Sequence, residues 1–160
     1  MKLSDEEKRQ LKRLARSAIE GVLLGSQEAE LKMPDTLKVK SGAFVTLKKK
    51  GELRGCIGYI RDIMPLDEAV KEVSIQAAFH DPRFEPLKKN EWKDVDIEIS
   101  VLTPMKQIDD VSEIEVGVHG LFIEKGFNSG LLLPQVATEN KWDRKTFLEY
   151  TCWKAGLPKD

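Results

Sequence analysis

A chain of 160 residues, 41% of them hydrophobic and 33% charged, is long enough for one domain, or for two small lobes that share a core. Because 26 basic residues nearly balance 27 acidic ones, for a formal net charge of −1, overall charge does not favour binding to nucleic acid or anionic membranes. Two cysteines exclude a disulfide framework, and no apolar run reaches the roughly 20 residues that span a bilayer. The N-terminus lacks a signal-peptide core, so a reduced, cytoplasmic protein with a thermophile-like composition is predicted.

The first predicted element is a helix over residues 4–24. Ser4 and Glu7 have the spacing of a capping box, in which two residues at a helix start satisfy each other's backbone N–H groups. Apolar residues then recur at helical spacing, and Gly25 is expected to end the helix. The polar residues 26–40 are predicted to form a connecting loop.

Two strands are predicted next, over residues 43–48 and 52–60, because apolar and polar residues alternate there with a period of two. Lys50 and Gly51 are expected to form the hairpin turn between them. The lysines at the tip are interpreted as a solvated turn that keeps the sheet edge from pairing, rather than as a phosphate site.

The rest of the chain is predicted to contain two further helices and four strands. A helix begins at Pro65 and ends near Phe79, before the proline-containing loop HDPRFEP. The predicted strands are Val95–Thr103, Ile114–Val118, Gly120–Glu124 and Leu131–Leu133, and the last helix covers about Asp143 to Ala155. Since no βαβ rhythm is present, the predicted fold class is α+β, with mainly antiparallel sheets flanked by helices.

The stretch LRGCIG places an arginine and two glycines around one of only two cysteines. On a regular strand Arg54, Cys56 and Gly58 share one face, while Leu53 and Gly55 belong to the opposite face, which looks like core. A guanidinium would favour the thiolate and the glycines would give access to the sulfur, which makes Cys56 a candidate nucleophile. The alternative is an inert packed thiol, with glycines that mark a bulge or a crowded helix crossing.

The loop HDPRFEP is a second candidate for chemistry. His80 and Asp81 could supply a base and its orienting partner, and Arg83 could clamp an anion. Alternatively, Asp81 fixes the turn, Arg83 pairs with a neighbour and Phe84 fills the core. If this loop converged with the LRGCIG strand, Cys56, His80 and Asp81 would form a thiol–imidazole–carboxylate set.

No metal or cofactor site is predicted from the sequence. The cysteines and histidines are too scattered for a zinc site, and no phosphate-binding loop or dinucleotide fingerprint is present. Cys152, on an apolar helix face, is interpreted as a packing residue. The three tryptophans, Trp92, Trp142 and Trp153, are interpreted as anchors in the core or between lobes, because no basic stripe accompanies them.

Several longer strings carry a resemblance to a known family. Beyond LRGCIGY they are SGAFVTLKKKGE, PLDEAV, AAFHDPRFEPL, IEISVLTP, HGLFIEKG, LLLPQVATENKWD and FLEYTCWKAGLP. With LRGCIG and DPRF at this spacing and LPQVA after them, the chain resembles the AMMECR1 family, also called AmmeMemoRadiSam system protein A, nearly end to end. The resemblance implies one domain over residues 1–160 with two unequal lobes, the larger containing both chain ends, and a cleft between them.

The resemblance also places the hallmark residues in that cleft. They are Arg54, Gly55, Cys56, Gly58, Asp81, Pro82, Arg83 and Phe84. It implies no particular reaction, but genes for the family often occur beside those for Memo-like proteins and radical SAM enzymes, which implies a shared pathway.

Two hypotheses about function follow. The first is a cytosolic enzyme, or a subunit of one, that acts on a small or peptidic anionic substrate. Its catalytic residues would be Cys56, His80 and Asp81. Its substrate-binding residues would be Arg54, Gly55, Gly58, Arg83 and Phe84. The second is a module that binds a ligand or a protein without turnover, in which LRGCIG is structural.

Overall fold

The computed structural model describes residues 3–25 and 31–158, and it confirms the predicted α+β class. The described ranges contain the helices α1 (Asp5–Leu23), α2 (Leu66–Phe79), α3 (Pro134–Glu139) and α4 (Arg144–Lys154). They also contain the strands β1 (Gly42–Lys49), β2 (Glu52–Tyr59), β3 (Val95–Leu102), β4 (Leu121–Lys125) and β5 (Asn128–Leu132). The chain divides into two compact units, Met1–Met105 and Lys106–Asp160. The predicted cleft between lobes stays a prediction.

Helix α1 begins as the sequence predicts. Ser4 Oγ accepts the backbone N–H of Glu7 at 3.1 Å, and Glu7 Oε1 accepts the backbone N–H of Ser4 at 2.9 Å, which confirms the capping box. Gly25 follows the helix with φ +65°, a backbone conformation that glycine adopts without strain. Part of the predicted loop, residues 26–30, lies outside the described residues. A 3-10 turn over Asp35–Lys38 precedes the first strand.

The first unit is built on a three-stranded antiparallel sheet in the order β2–β1–β3. One face packs against α1 and α2, and its core includes Val45, Leu47, Val70 and Ile97. The turn between β1 and β2 has φ 52° at Lys50 and 82° at Gly51, which confirms the predicted hairpin.

Strand β2 is not regular, and this overturns part of the predicted alternation. Leu47 of β1 pairs with Gly55, and Lys48 pairs with Leu53, so Arg54 is an extra residue in a β-bulge. Residues of β2 that precede the bulge therefore face the opposite side of the sheet from the one that regular alternation predicts. Leu53, predicted to lie in the core, is therefore 44% exposed.

The second unit is a β4–β5 hairpin packed with α3 and α4 around a small core that includes Leu121, Leu132 and Phe147. The predicted strand over Ile114–Val118 is wrong. A 3-10 turn over Val111–Glu113 leads into a turn at this place, where Gly117 has φ +89° and Glu115 O accepts the backbone N–H of Val118. Helix α3, which has proline at its first position, was not predicted.

The aromatic residues of the second unit correct another prediction. Trp142 stacks on Tyr150 with ring centroids 4.3 Å apart, but Trp153 is 68% exposed and is therefore not a core residue. Among residues 3–25 and 31–158, none of the helices combines the length and the hydropathy that a transmembrane segment needs.

Candidate functional site

The HDPRF loop and the LRGCIG strand converge at Cys56, a meeting that the sequence left open. The backbone N–H of Cys56 donates to Asp81 Oδ2 at 3.0 Å, and Arg83 Nη2 donates to the carbonyl oxygen of Cys56 at 3.3 Å. β2 is an edge strand, and Cys56 is one of its alternate residues whose backbone groups are directed away from β1, as these two hydrogen bonds show. The two side chains therefore occupy the place that a neighbouring strand would take.

Asp81 is the buried centre of this arrangement, with only 4% of the residue exposed. Its Oδ1 accepts the Nε–H and the backbone N–H of Arg83 at 3.0 and 3.1 Å, and its Oδ2 accepts Nη2 of Arg83 at 2.8 Å besides the Cys56 N–H. The hydrogen bonds from the Arg83 side chain hold the pKa of Asp81 far below its usual range, although burial alone would raise it. The carboxylate is thus ionised, and both of its oxygens are engaged.

Arg83 joins the buried carboxylate to the surface. Its hydrogen bonds to Asp81 raise the pKa of the guanidinium, and the nearby Cys56 contributes in the same direction. The side chain is nevertheless 54% exposed, and its guanidinium carbon lies 5.4 Å from the centre of the half-buried Phe84 ring. This residue therefore combines a fixed position with an accessible edge.

The Arg54 side chain binds the carboxylate of Glu91, not that of Asp81. Its Nε and Nη2 donate to Oε1 and Oε2 of Glu91 at 3.0 and 3.1 Å, and Nη2 also donates to the carbonyl oxygen of Glu85 at 2.8 Å. The two side chains are only 12% and 16% exposed. Arg54 is thus engaged with Glu91, a different arrangement from the Arg54–Cys56 pairing that the sequence suggested.

Glu91 also accepts Lys49 Nζ at 3.1 Å and the backbone N–H of Lys88 at 3.0 Å. The Arg54 hydrogen bonds are the largest cause that lowers the pKa of Glu91 to about 2, and burial opposes them. Phe84 lies near both arginines, with the guanidinium carbon of Arg54 5.9 Å from its ring centre. Sequence reasoning missed Glu91, since no motif or periodicity links it to a residue so far along the chain.

The Cys56 thiol lies on the face of the sheet that does not pack against the helices. Its Sγ is 3.2 Å from Thr46 Oγ1, directly across the β1–β2 pairing, and the residue is half-buried. The sulfur is thus neither sealed in the core nor fully open. Thr46 was also missed, because its register opposite Cys56 depends on the bulge at Arg54.

The two glycines of LRGCIG are explained by packing. A Cβ on Gly55 would lie 2.2 Å from the carbonyl oxygen of Ala77 in α2, so the helix crosses the strand at this point. A Cβ on Gly58 would lie 2.4 Å from the ring of Phe44. The expected access to the Cys56 sulfur on the Gly58 side is therefore wrong, because the Phe44 ring fills that space. The crowded helix crossing is confirmed for Gly55.

His80 stands at the end of α2, where its backbone N–H donates to the carbonyl oxygen of Gln76 at 2.8 Å. No hydrogen bond links its imidazole to Asp81 in the part of the chain that the structure describes. The catalytic roles of Cys56, His80 and Asp81 stay predictions. No cluster of three potential metal ligands occurs among residues 3–25 and 31–158.

Comparisons with known proteins agree with the resemblance seen in the sequence. The AMMECR1 family model matches residues 12–160. A relative from Methanothermobacter thermautotrophicus is 51% identical over 99% of this chain and 86% of its own length, and one from Aquifex aeolicus is 49% identical over 95% and 82%. The crystal structure of uncharacterized protein PH0010 from Pyrococcus horikoshii has a TM-score of 0.91 at 46% identity and covers 99% of this chain and 84% of that one.

Proposed function

The chain belongs to the AMMECR1 family, and from this premise and the geometry around Cys56 we propose that it is a ligand-binding module rather than a thiol enzyme. Its site is the surface formed by Arg83, Phe84 and the thiol of Cys56. The observation that carries this proposal is the use of the Asp81 carboxylate. Both of its oxygens hold Arg83 and the Cys56 backbone in place, so Asp81 is unavailable to orient a catalytic imidazole.

The charge at this surface indicates the class of ligand. Asp81 neutralises Arg83, the cation of this surface, whereas the charge of Glu91 is shared between Arg54 and Lys49 beside it. We therefore propose an uncharged, carbonyl-rich ligand, such as a peptide segment, in place of the anionic one that the sequence suggested.

The contacts available to such a ligand are a donor and an aromatic face. Among the residues that the structure describes, the hydrogen bonds of the Arg83 guanidinium use Nε and Nη2, so the two protons of Nη1 can serve an acceptor on the ligand. The half-buried ring of Phe84 supplies apolar contact beside them.

The test is a titration followed by amide and arginine side-chain NMR signals, with two probes. The first is an alanine peptide blocked at both ends, and the second is inorganic phosphate. We expect the peptide to shift the signals of Cys56, Phe84 and the Arg83 Nε–H, and Phe84→Ala to weaken that response while Trp153→Ala, an exposed aromatic control, leaves it unchanged. A response to phosphate alone would show that the ligand is an anion and refute the proposed class.

A thiol enzyme is the second candidate, and one observation favours it. The half-buried Cys56 sulfur has a hydroxyl partner in Thr46, and the Arg83 guanidinium binds the backbone carbonyl oxygen of the same residue as the sulfur. Labelling with iodoacetamide at neutral pH separates the candidates, with Cys152→Ser reporting on Cys56 and Cys56→Ser reporting on the equally half-buried Cys152. A binding module predicts rates within about tenfold of each other, whereas an activated nucleophile predicts that Cys56 reacts at least about a hundredfold faster.

The compartment and partners complete this proposal. We place the module in the reducing cytoplasm, consistent with both cysteines being free thiols. A Memo-like or radical SAM protein of the same pathway is a proposed source of the peptide segment.

A further inference from the structure

The exposed face of α1 carries an unusual concentration of positive charge. Its basic residues are Lys8, Arg9, Lys12, Arg13 and Arg16, and all five are exposed. We call this set the basic face of α1. At 1.5 Å per residue it extends about 12 Å along the helix, and Lys8, Lys12 and Arg16 follow one another at about one turn, or 6 Å.

Few carboxylates neutralise the basic face. Arg9 pairs with Glu6 at 2.9 Å, and Arg16 lies over the ring of Trp92 with its guanidinium carbon 4.9 Å from the ring centre. Within the described ranges, no ion pair or ring contact is found for Lys8, Lys12 or Arg13. Three cations therefore remain available on a chain whose net charge is −1.

This arrangement opposes the stability of the helix. Lys8 with Lys12, Lys12 with Arg16, and Arg9 with Arg13 are like-charged pairs four residues apart, which repel one another on a helix surface. Carboxylates at some of these positions would have stabilised α1 through the same spacing. Residues that break a local rule of stability without a structural gain are expected at places that serve function.

The surroundings of the basic face of α1 disfavour a nucleic acid and a membrane as its partner. Asp5, Glu6 and Glu7 lie at one end of the same helix, so a nucleic acid backbone that extends past the basic face would be repelled there, whereas a short acidic helix confined to the basic face would not meet them. A membrane is disfavoured because the apolar side of α1, with Leu11 and Ile19, is already buried in the core.

A second copy of this chain is also disfavoured. A two-fold axis that passes through the basic face would set its cations against the same cations of the second copy.

We infer that the basic face of α1 docks an acidic helix or segment of a partner protein. Carboxylates four residues apart on such a helix repeat at the same 6 Å or so as Lys8, Lys12 and Arg16, and complementary charge would steer the encounter. This docking surface is separate from the ligand site around Arg83, so either can exist without the other.

The experiment measures the fluorescence anisotropy of a labelled polyglutamate peptide, with a labelled oligouridylate as the competing class. We expect polyglutamate to bind at low ionic strength, and Lys8→Gln/Lys12→Gln/Arg13→Gln to weaken that binding at least about tenfold. The control Lys125→Gln/Lys145→Gln/Lys154→Gln removes the same charge from exposed positions of the second unit and is expected to change binding less than about twofold.

Three outcomes would overturn the inference. Equal losses in both triple variants would mean that only net charge matters. Tighter binding of oligouridylate, lost in the α1 variant, would assign the surface to nucleic acid. No binding of polyglutamate to the unmodified protein would leave the basic face of α1 as a solvated surface. Circular dichroism confirms that both triple variants retain helix, and the glutamine substitutions are chosen because they favour helix as well as lysine does.

Discussion

The replacement Asp81→Asn tests whether the LRGCIG strand and the DPRF segment form one structural unit. The carboxylate accepts four hydrogen bonds, three from Arg83 and one from the backbone of Cys56. An asparagine has nearly the same shape but presents an NH₂ group at one of the two oxygen positions. Whichever way the amide is turned, that NH₂ faces two donors and leaves the Arg83 charge without its partner.

The expected cost follows from these contacts. Two charge-assisted hydrogen bonds are lost, each worth roughly 1.5–3 kcal/mol, and because Arg83 is half exposed, water limits the further cost of leaving its charge unpaired. We expect Asp81→Asn to lower the free energy of unfolding by about 3–4 kcal/mol and the thermal midpoint by roughly 10 °C. Urea unfolding followed by circular dichroism measures the first quantity, and scanning calorimetry measures the second.

The matched control is Asp110→Asn, which makes the same chemical change at an exposed turn. Asp110 is exposed and accepts the backbone N–H of Ser112 at 2.8 Å, so its replacement should change the free energy of unfolding far less than Asp81→Asn does. The effect of Asp81→Asn should also depend on pH. The pKa of Asp81 is lowered in the folded state, so its contribution to the free energy of unfolding is complete at pH values above the range in which an unfolded aspartate titrates. This contribution is lost as the pH falls through that range and below it. Equal costs for the two variants, or a difference that does not change with pH, would refute the reasoning.

The remaining predictions use the same unfolding assay. Gly55→Ala should destabilise the protein by about 2 kcal/mol or more, because its Cβ would lie 2.2 Å from the Ala77 carbonyl oxygen, and an unchanged midpoint would show that α2 shifts freely. The pKa of Glu91 is about 2 in the folded protein and ordinarily 4.5, so this residue should contribute at most about 3 kcal/mol to the free energy of unfolding above pH 4.5. That contribution is lost as the pH falls toward 2. The free energy of unfolding of Glu91→Gln should therefore depend less on pH in this range than that of the unmodified protein. Leu53→Ala should cost less than about 0.5 kcal/mol and Leu47→Ala about 2–5 kcal/mol; similar costs would contradict the bulge.

Local patterns in the sequence predict much of this fold. The capping box at Ser4, the hairpin turn at Lys50 and Gly51, and the alternation in β3 each depend on residues close together in the chain, and the structure confirms them. The strand predicted at Ile114–Val118 fails because β-branched residues there suggest extension, whereas Gly117 adopts a left-handed turn.

The arrangement around Cys56 depends on distant residues, and this is why the sequence predicts it poorly. The bulge at Arg54 shifts the faces before it, and alternation alone contains no sign of an inserted residue. Glu91 reaches Arg54 across 37 positions of the chain. The alternative in which Asp81 fixes its turn and Arg83 pairs with a neighbour matches the observed contacts, although the carboxylate that binds Arg83 is Asp81 itself.

The side chains that cover the outer edge of β2 have a consequence for the protein in concentrated solution. An uncovered strand edge offers its amide and carbonyl groups to other molecules, and this is a common start of fibrous self-association. At Cys56 those groups are already taken by a carboxylate and a guanidinium, which form hydrogen bonds without extending the sheet. A segment that looks like a catalytic motif can thus also keep the folded protein from pairing with another molecule along this part of its sheet edge.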